Sequence, residues 1–250
     1  MVCMQEKEIQ ADRRKVAPMS SVRHQIKFVL EQVGLNKLPI YFSRRSYSQE
    51  GEDIILADIF ASRKVGFYVD VGAHHPFRFS NTFALYKRGW RGINIDPLPG
   101  TMKKFKKHRP RDINLELGIA DKPGNLTYYM FDEPALNGFD PELSYTRSET
   151  TKYKIVEERP IPVSPLRDVL KTHVPPEQKI DLMSIDVEGL DLTVLASNDW
   201  EAFSPTIVIA ELRQESIEES IQDPIYMFLK NRNYTMFACT GRSCFFRLNA

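Results

Sequence analysis

The sequence predicts an α/β fold in which a largely parallel sheet is covered by helices on both faces. Short apolar runs, typical of buried strands, alternate along the chain with segments of helical periodicity. The chain has 250 residues, of which 42% are apolar and 27% charged. This composition is enough for one large domain with a substantial core and an ordinary polar surface.

The first forty-five residues differ from the rest. Residues 1–20 are polar, and apolar residues then recur at helical spacing before Gly34, which suits a helix C-terminal cap. We therefore predict an N-terminal extension over residues 1–45 with an amphipathic helix over residues 21–33. This helix would pack on the main domain, cover its site as a lid, or form a contact in a homodimer.

The second predicted domain covers residues 46–250, and its segments follow in a regular order. We predict helices over residues 48–65, 80–87, 99–107, 166–172, 190–196 and 224–231. We predict strands over residues 67–71, 92–95, 113–117, 126–131, 161–163, 180–185, 206–212, 234–238 and 244–248. Residues 132–160 are rich in proline, glycine and polar residues, which predicts a long loop of the kind that binds ligands or lacks order.

Composition excludes several classes of protein. The formal net charge is only +1, so no overall field attracts nucleic acid or an anionic membrane. The sequence has no apolar run of the length that spans a bilayer, and its N-terminus lacks the apolar core of a signal peptide. Its cysteines, Cys3, Cys239 and Cys244, are a poor disulfide framework. We therefore expect a cytoplasmic protein with no membrane partner.

In parallel sheets, ligands bind beyond the carboxyl ends of the strands. The first predicted strand ends in Asp70-Val71-Gly72-Ala73-His74, where Gly72 allows a tight turn and a close ligand. His74 and Phe77 stand where the dinucleotide fingerprint has its later glycines, which disfavours a nicotinamide cofactor. A ligand with an amino-acid end suits the turn better, and Asp70 could place its ammonium group.

Two further strand ends offer groups for an adenosine. Asp96 ends the second strand and could accept both ribose hydroxyls, or else simply start the next helix. The third strand leads to Gly118-Ile119-Ala120-Asp121, where an apolar residue and a carboxylate could hold an adenine. An ordinary turn explains Asp121 equally well.

A later strand ends in Asp186-Val187-Glu188-Gly189. A hydroxyl that attacks a methyl group must lose its proton, so either carboxylate is a candidate base, and His74 and His75 are further candidates. Alternatively, Asp186 and Glu188 satisfy the free N–H groups of the next helix. They could also bind a divalent metal, although two carboxylates are too few to assign a metal site.

Several motifs occur in an order that resembles the FkbM family of methyltransferases. They are Tyr47-Ser48-Gln49-Glu50-Gly51-Glu52-Asp53, the strand ending in Asp70-Val71-Gly72-Ala73, Ser80-Asn81-Thr82, Gly92-Ile93-Asn94-Ile95-Asp96-Pro97 and Ile185-Asp186-Val187-Glu188-Gly189. The resemblance implies a Rossmann-like class I methyltransferase fold, with a mostly parallel seven-stranded sheet, that uses S-adenosylmethionine.

The same resemblance implies roles for individual residues. Gly72 and its neighbours Asp70 and Ala73 would hold the methionine end, Asp96 the ribose, and Ile119, Ala120 and Asp121 the adenine. Gln49, Glu50 and Asn81 would help to close the cofactor site. Members of the family are associated with O-methylation of sugars and other small hydroxylated metabolites, which are therefore the expected acceptors.

Two alternative functions stay open. A basic run follows the second strand and could bind RNA phosphates, as in an RNA methyltransferase; it consists of Lys103, Lys104, Lys106, Lys107, Arg109 and Arg111. We prefer to interpret this run as the solvated face of a helix with Met102 and Phe105 inward. The second alternative is a non-catalytic module that only binds S-adenosylmethionine.

Overall fold

The computed structural model of the chain describes residues 43–212 and 216–249, together with Val29 and Gln32. The chain divides into two units, residues 1–45 and residues 46–250. The strands and helices below belong to the second unit. The helix predicted over residues 21–33 lies outside the described residues, apart from Val29 and Gln32, both of which are helical.

The elements of the second unit alternate much as the sequence predicts. Its helices are α1 (Glu52–Ile59), α2 (Phe83–Lys87), α3 (Thr101–His108), α4 (Pro141–Thr150), α5 (Leu166–His173), α6 (Asp191–Ala196), α7 (Ile217–Ser220) and α8 (Pro224–Lys230). Its strands are β1 (Phe67–Val71), β2 (Arg91–Ile95), β3 (Ile113–Leu115), β4 (Gly118–Ile119), β5 (Gly124–Phe131), β6 (Ile155–Ser164), β7 (Leu182–Ile185), β8 (Ile207–Glu211), β9 (Tyr234–Cys239) and β10 (Ser243–Leu248). Within the described residues, no helix is long and apolar enough to cross a membrane.

A seven-stranded sheet forms the centre, with the strand order β3-β2-β1-β7-β8-β10-β9. The first five strands in this order run parallel, and β10 is antiparallel to both of its neighbours. Val71 at the end of β1 pairs with Ile95 of β2 and with Ile185 of β7. The carboxyl ends of these three strands therefore meet at one edge, which confirms the predicted mostly parallel sheet.

Helices cover both faces of this sheet, as predicted. Val69 of β1 belongs to one apolar cluster, together with Leu170 of α5 and Leu195 of α6. Its neighbour Tyr68 points to the other face, where it clusters with Leu56 of α1 and Leu85 of α2. Because both faces are covered, every residue of β1 is buried, which explains why this strand is almost continuously apolar.

Arg109 differs from the solvated basic helix that the sequence predicts. Lys103, Lys104, Lys106 and Lys107 are exposed, but the Arg109 side chain is fully buried beneath the sheet. Its Nε donates to Asp112 at 2.8 Å, and its Nη2 donates to the hydroxyls of Tyr68 and Thr82 at 2.7 and 2.9 Å. Helix α3 ends at His108, so the chain can turn Arg109 inward, where these acceptors compensate its burial.

The prediction of a long loop over residues 132–160 is wrong. This segment contains a 3₁₀ helix (Pro134–Leu136), helix α4 and the first part of β6. Asp140 caps α4 by accepting a hydrogen bond from the Leu143 amide, and Pro141 follows as the first helical residue. Strand β6 is polar and exposed over much of its length, and it owes its conformation to antiparallel pairing with β5. Together with β4, these strands form a second sheet of order β4-β6-β5.

The expectation that the cysteines form no disulfide is also wrong. Cys239 and Cys244 are directly opposite each other in the β9–β10 hairpin and are joined by a disulfide. A tight hairpin brings residues five apart in sequence face to face, which counting cysteines does not reveal. The cysteines therefore give no support to the expectation of a cytoplasmic protein.

Candidate functional site

A cavity opens where β1, β2 and β7 end, and we call it the strand-end cavity. It has an empty volume of about 780 Å³, which includes its open mouth. Gly72, Asp96 and Asp186 line it at the strand ends, and Tyr128 and Phe139 form part of its opposite wall. Gly72 and Asp96, which the sequence predicts to hold opposite ends of one ligand, therefore share one cavity.

Gly72 makes the close approach of two strand ends possible. Its φ of 82° lies in the left-handed region, and a Cβ at this position would stand 1.8 Å from the Asp186 carbonyl oxygen. Its amide donates to Ile95 at 2.9 Å, which holds the turn against β2. Any other residue would push β1 and β7 apart and change the floor of the strand-end cavity.

Asp96 is a buried carboxylate at this floor. Its Oδ2 accepts from the His74 amide at 2.8 Å and its Oδ1 from the Leu98 amide at 2.9 Å. Burial raises the pKa of Asp96 to about 6, although both hydrogen bonds oppose that shift. Carboxylate oxygens can accept more than one hydrogen bond each, so capacity for a ligand hydroxyl is left. Gly100, rather than Asp96, is the N-cap of α3.

Apolar side chains line one part of the strand-end cavity, which we call the apolar slot. Ile119 lines it, and the rings of Tyr128 and Phe139 pack with their centroids 4.8 Å apart. Gly118 is required here, because a Cβ would stand 2.5 Å from the Phe139 ring. Neither ring is among the site residues that the sequence predicts. Tyr128 gives no signal in the sequence, whereas Phe139 could have been found from the Asp140-Pro141 helix start that follows it.

Two residues predicted for the adenine lie outside this slot. The Asp121 side chain is 70% exposed, 4.0 Å from Lys122, in the bend that precedes β5. The turn that the sequence offers as an alternative is therefore what the structure contains. Ala120 is buried and its amide donates to Ser164, but it does not line the strand-end cavity either.

A second cavity of about 420 Å³ adjoins the first, and we call it the acidic cavity. The two share four lining residues: Gln49, Phe79, Asp186 and Glu188. The acidic cavity is also lined by Glu50, Glu52, Asn81, Glu211, Arg242 and Ser243. Its lining is therefore polar and rich in carboxylates.

The other residues predicted to bind the cofactor do not all line the same cavity. Gln49 lines both cavities, whereas Glu50 and Asn81 line only the acidic cavity. Glu50 accepts from the Arg242 amide at 2.9 Å, and Asn81 donates to the Ser184 hydroxyl at 3.0 Å. Asp70 lines neither cavity.

Asp70 and Ala73 lie beneath the strand-end cavity rather than in its lining. Asp70 accepts from the Thr82 hydroxyl at 2.6 Å, and burial raises its pKa. Ala73 is buried beside Met102 and Phe105, and its amide donates to Ile95 at 3.1 Å. Their predicted contact with the methionine end therefore stays a prediction.

Asp186 and Glu188 both line both cavities, at their boundary. Glu188 accepts from Arg147 Nη2 at 2.7 Å and has a left-handed backbone, with φ of 54°. The N-cap residue of α6 is Leu190, and no side chain caps this helix. Asp191, its first residue, accepts from the amides of Val187 and Gly189 in the preceding turn. The helix-capping role that the sequence offers for Asp186 and Glu188 is therefore not seen.

The two histidines are placed differently. His74 lines the strand-end cavity, and burial together with the positive charge of Arg78 lowers its pKa to about 4. Its imidazole is therefore neutral near pH 7. His75 lines neither cavity, and burial lowers its pKa as well. In the part of the chain that the structure describes, no group of three or more His, Cys, Asp or Glu residues could hold a metal ion.

The charge of the strand-end cavity favours a cationic ligand. Its described lining includes the carboxylates of Asp96, Asp186 and Glu188 but no lysine or arginine. A pyrophosphate normally needs backbone N–H groups of a glycine-rich turn or cationic side chains. The lining therefore disfavours a dinucleotide and suits an adenosine that carries positive charge.

Comparison with known proteins gives one family. The family described as Methyltransferase FkbM domain matches residues 70–236. Among solved structures, the chain is similar to the C-terminal domain of precorrin-6Y C5,15-methyltransferase from Rhodobacter capsulatus. The two are 12% identical, with a TM-score of 0.39, over 79% of this chain and 88% of that one. No curated protein matches the chain.

Proposed function

Because the chain belongs to the FkbM methyltransferase domain family and is a methyltransferase, we propose that it transfers a methyl group from S-adenosylmethionine to a hydroxyl of a sugar or other small metabolite. The donor would occupy the strand-end cavity and the acceptor the acidic cavity. One observation carries the proposal: Gly72, Asp96 and Asp186 converge on one cavity, and Asp186 also lines the adjoining cavity.

The residues of the strand-end cavity fit S-adenosylmethionine. Asp96 would accept the ribose hydroxyls, the slot of Ile119, Tyr128 and Phe139 would hold the adenine, and the Gly72 turn would approach the methionine end. When bound, this donor supplies a methyl group that its sulfonium charge already activates. The carboxylates of the lining complement that charge, whereas they would repel the pyrophosphate of a nicotinamide dinucleotide.

Asp186 is the best candidate for the base. The acceptor hydroxyl must lose a proton during its attack, and a positioned carboxylate can take it. Asp186 lies at the boundary of the two cavities, whereas His74 lines only the strand-end cavity. Glu188 shares the boundary and accepts a hydrogen bond from Arg147, so we propose that it positions the acceptor. Alignment of the hydroxyl with the methyl group can contribute several kcal/mol to the rate, about 7 or more in favourable intramolecular systems.

The acceptor is proposed to be a small molecule rather than RNA. Of the basic run after β2, Arg109 is buried, and Arg111 donates to the carbonyl oxygen of Tyr86 at 2.6 Å. Burial removes Arg109 from any phosphate-binding surface, which leaves Lys103, Lys104, Lys106, Lys107 and the exposed Arg111. The acidic cavity would also repel a polyanionic strand.

Calorimetry tests the donor. S-Adenosylmethionine, S-adenosylhomocysteine and NAD are titrated separately into the full chain, and we expect the first two to bind and NAD to give no heat. Binding of NAD alone would overturn the assignment. Transfer of a labelled methyl group to a panel of hydroxylated metabolites then tests the reaction. Donor binding without transfer to any fraction of a cell extract would support the non-catalytic alternative.

A further inference from the structure

Phe77 and Phe79 are two exposed aromatic residues on the loop between β1 and α2, but only one lines the cavities. Phe77 is 40% exposed and Phe79 is 41% exposed. Phe79 lines both the strand-end and the acidic cavity, whereas Phe77 lines neither. The Phe77 ring packs instead against His75 and His108, at centroid distances of 4.5 and 5.5 Å.

Neighbouring side chains hold the Phe79 ring in place. The Arg78 guanidinium lies 4.2 Å from the ring centroid, and the His74 ring stacks on it at 6.2 Å. Arg78 also binds Glu133 at 3.1 Å, which ties the loop to the segment before the 3₁₀ helix. A ring that is held in this way can contact a ligand without first losing its own rotamer freedom.

The position of Phe79 leaves apolar surface exposed at the boundary of the two cavities. An exposed apolar surface gains free energy when another apolar surface packs on it. At the boundary of the two cavities, such a surface would meet the C–H groups of a bound ring, while nearby carboxylates accept hydrogen bonds from its hydroxyls. A polyhydroxylated ring presents both kinds of group.

The charge around this ring restricts the acceptor further. The described lining of the acidic cavity has five carboxylates, those of Glu50, Glu52, Asp186, Glu188 and Glu211. Its one described guanidinium, Arg242, lies 4.0 Å from Glu50. Arg147, which is not part of this lining, binds Glu188, but the carboxylates still outnumber these two guanidinium groups. They would repel a phosphorylated or carboxylated acceptor, which is therefore disfavoured.

We propose that Phe79 selects the acceptor, and that the acceptor is a polyhydroxylated ring without negative charge. The apolar side of this ring would pack on Phe79 and its hydroxyls would bind the carboxylates of the acidic cavity. The inference rests on the proposed function, since it takes the acidic cavity as the acceptor site. It adds a specificity-determining residue and a charge class for the substrate.

Saturation-transfer NMR on the full chain with S-adenosylhomocysteine tests this inference. The probes are methyl β-glucopyranoside, its 2-amino analogue and glucose 6-phosphate. We expect saturation transfer to the C–H protons of the first two probes and none to those of glucose 6-phosphate. Phe79→Asn removes the ring but tolerates the left-handed backbone, since φ of Phe79 is 56°. It should lower the affinity for the two bound probes about fivefold, the scale of one aromatic contact.

Phe77→Ala is the matched control and should leave probe affinity within about twofold, because this ring lines neither cavity. Equal effects of the two variants, preferred binding of glucose 6-phosphate, or no transfer to any probe would overturn the inference. Calorimetry with S-adenosylhomocysteine on the same samples separates the two claims. If the unaltered chain does not bind S-adenosylhomocysteine, the donor assignment is wrong. If Phe79→Asn binds S-adenosylhomocysteine normally and its sugar signal is unchanged, only the role of Phe79 is wrong.

Discussion

The strand-end cavity and the acidic cavity are neighbours but are built differently. The first is formed by the ends of parallel strands and by the second sheet, and its described lining lies within residues 49–190. The second combines segments from distant parts of the sequence, including Gln49–Glu52 and the β9–β10 turn at Arg242. The proposed donor site therefore needs the parallel strands and the second sheet, whereas the proposed acceptor site also needs the β9–β10 turn.

Asp186→Asn should have the largest effect, because Asp186 lies where the two cavities meet. We expect turnover to fall by about 10²- to 10⁴-fold, since the amide cannot take the hydroxyl proton. Donor affinity should hardly change. Steady-state kinetics and calorimetry measure the two quantities, and Glu188→Gln, at the same boundary, should lower turnover less. Full activity of Asp186→Asn would remove Asp186 from the role of base.

Asp96→Asn should weaken donor binding alone, by about 1–3 kcal/mol, because hydrogen bonds between a charged acceptor and the ribose are lost. Asp121→Asn is the matched control, because this exposed carboxylate lies outside both cavities. Calorimetry with S-adenosylhomocysteine measures both. If the two variants bind equally well, the ribose is held elsewhere.

Acidification should affect the stability of the chain and its donor affinity in opposite directions. The pKa of Asp96 is raised from 3.8 to about 6, so between these values the folded chain binds more protons than the unfolded chain. Asp96 therefore makes the free energy of unfolding rise by about 1 kcal/mol as pH falls from 6 to 5, since the folded group is already half protonated at pH 6. Burial raises the pKa of Asp191 to about 7, so Asp191 also makes the free energy of unfolding rise on acidification.

Donor affinity should fall over the same interval, because protonated Asp96 accepts fewer hydrogen bonds from a ribose. Urea unfolding without ligand and calorimetry with S-adenosylhomocysteine, both at pH 7 and pH 5, measure the two trends. In Asp96→Asn the loss of affinity on acidification should disappear. A donor affinity that is independent of pH in the unaltered chain would show that Asp96 does not contact the ligand.

Arg78→Gln should have the smallest effect. In the Arg78–Glu133 pair, the Arg78 side chain is 44% exposed and the Glu133 side chain 30% exposed. The hydrogen bond from Arg78 lowers the pKa of Glu133. Exposed ion pairs contribute little, so we expect a loss in unfolding free energy of about 0.5 kcal/mol or less, measured by urea unfolding. A loss of donor affinity beyond about twofold would mean that this pair shapes the strand-end cavity more than its exposure indicates.

The strand-end cavity was the part that sequence reasoning could predict best. Its strands are short apolar runs, and turns such as the one at Gly72 follow the strands directly, so position along the chain indicates position in space. Asp96 and Asp186 were found for this reason. Tyr128 was not, because its place in the wall depends on how the second sheet pairs, which local sequence does not encode.

The acidic cavity could be predicted only in part. Glu50 and Asn81 belong to recognisable motifs, but their contacts with Arg242 and Ser184 join residues far apart in sequence. Arg109 was misinterpreted because a cation in a basic run is normally solvated, and only the buried acceptors around it overturn that rule. The Cys239–Cys244 pair required knowledge of the hairpin register.

The contacts of the β9–β10 turn have a consequence for biosynthesis. Thr240 donates to Glu52, and the Arg242 amide donates to Glu50, across 188 and 192 residues of chain. A nascent chain that has emerged only as far as β8 already contains every described residue that lines the strand-end cavity. This nascent chain lacks the β9–β10 turn, which completes the lining of the acidic cavity. A ribosome-bound intermediate could therefore acquire affinity for the donor before it can discriminate between acceptors.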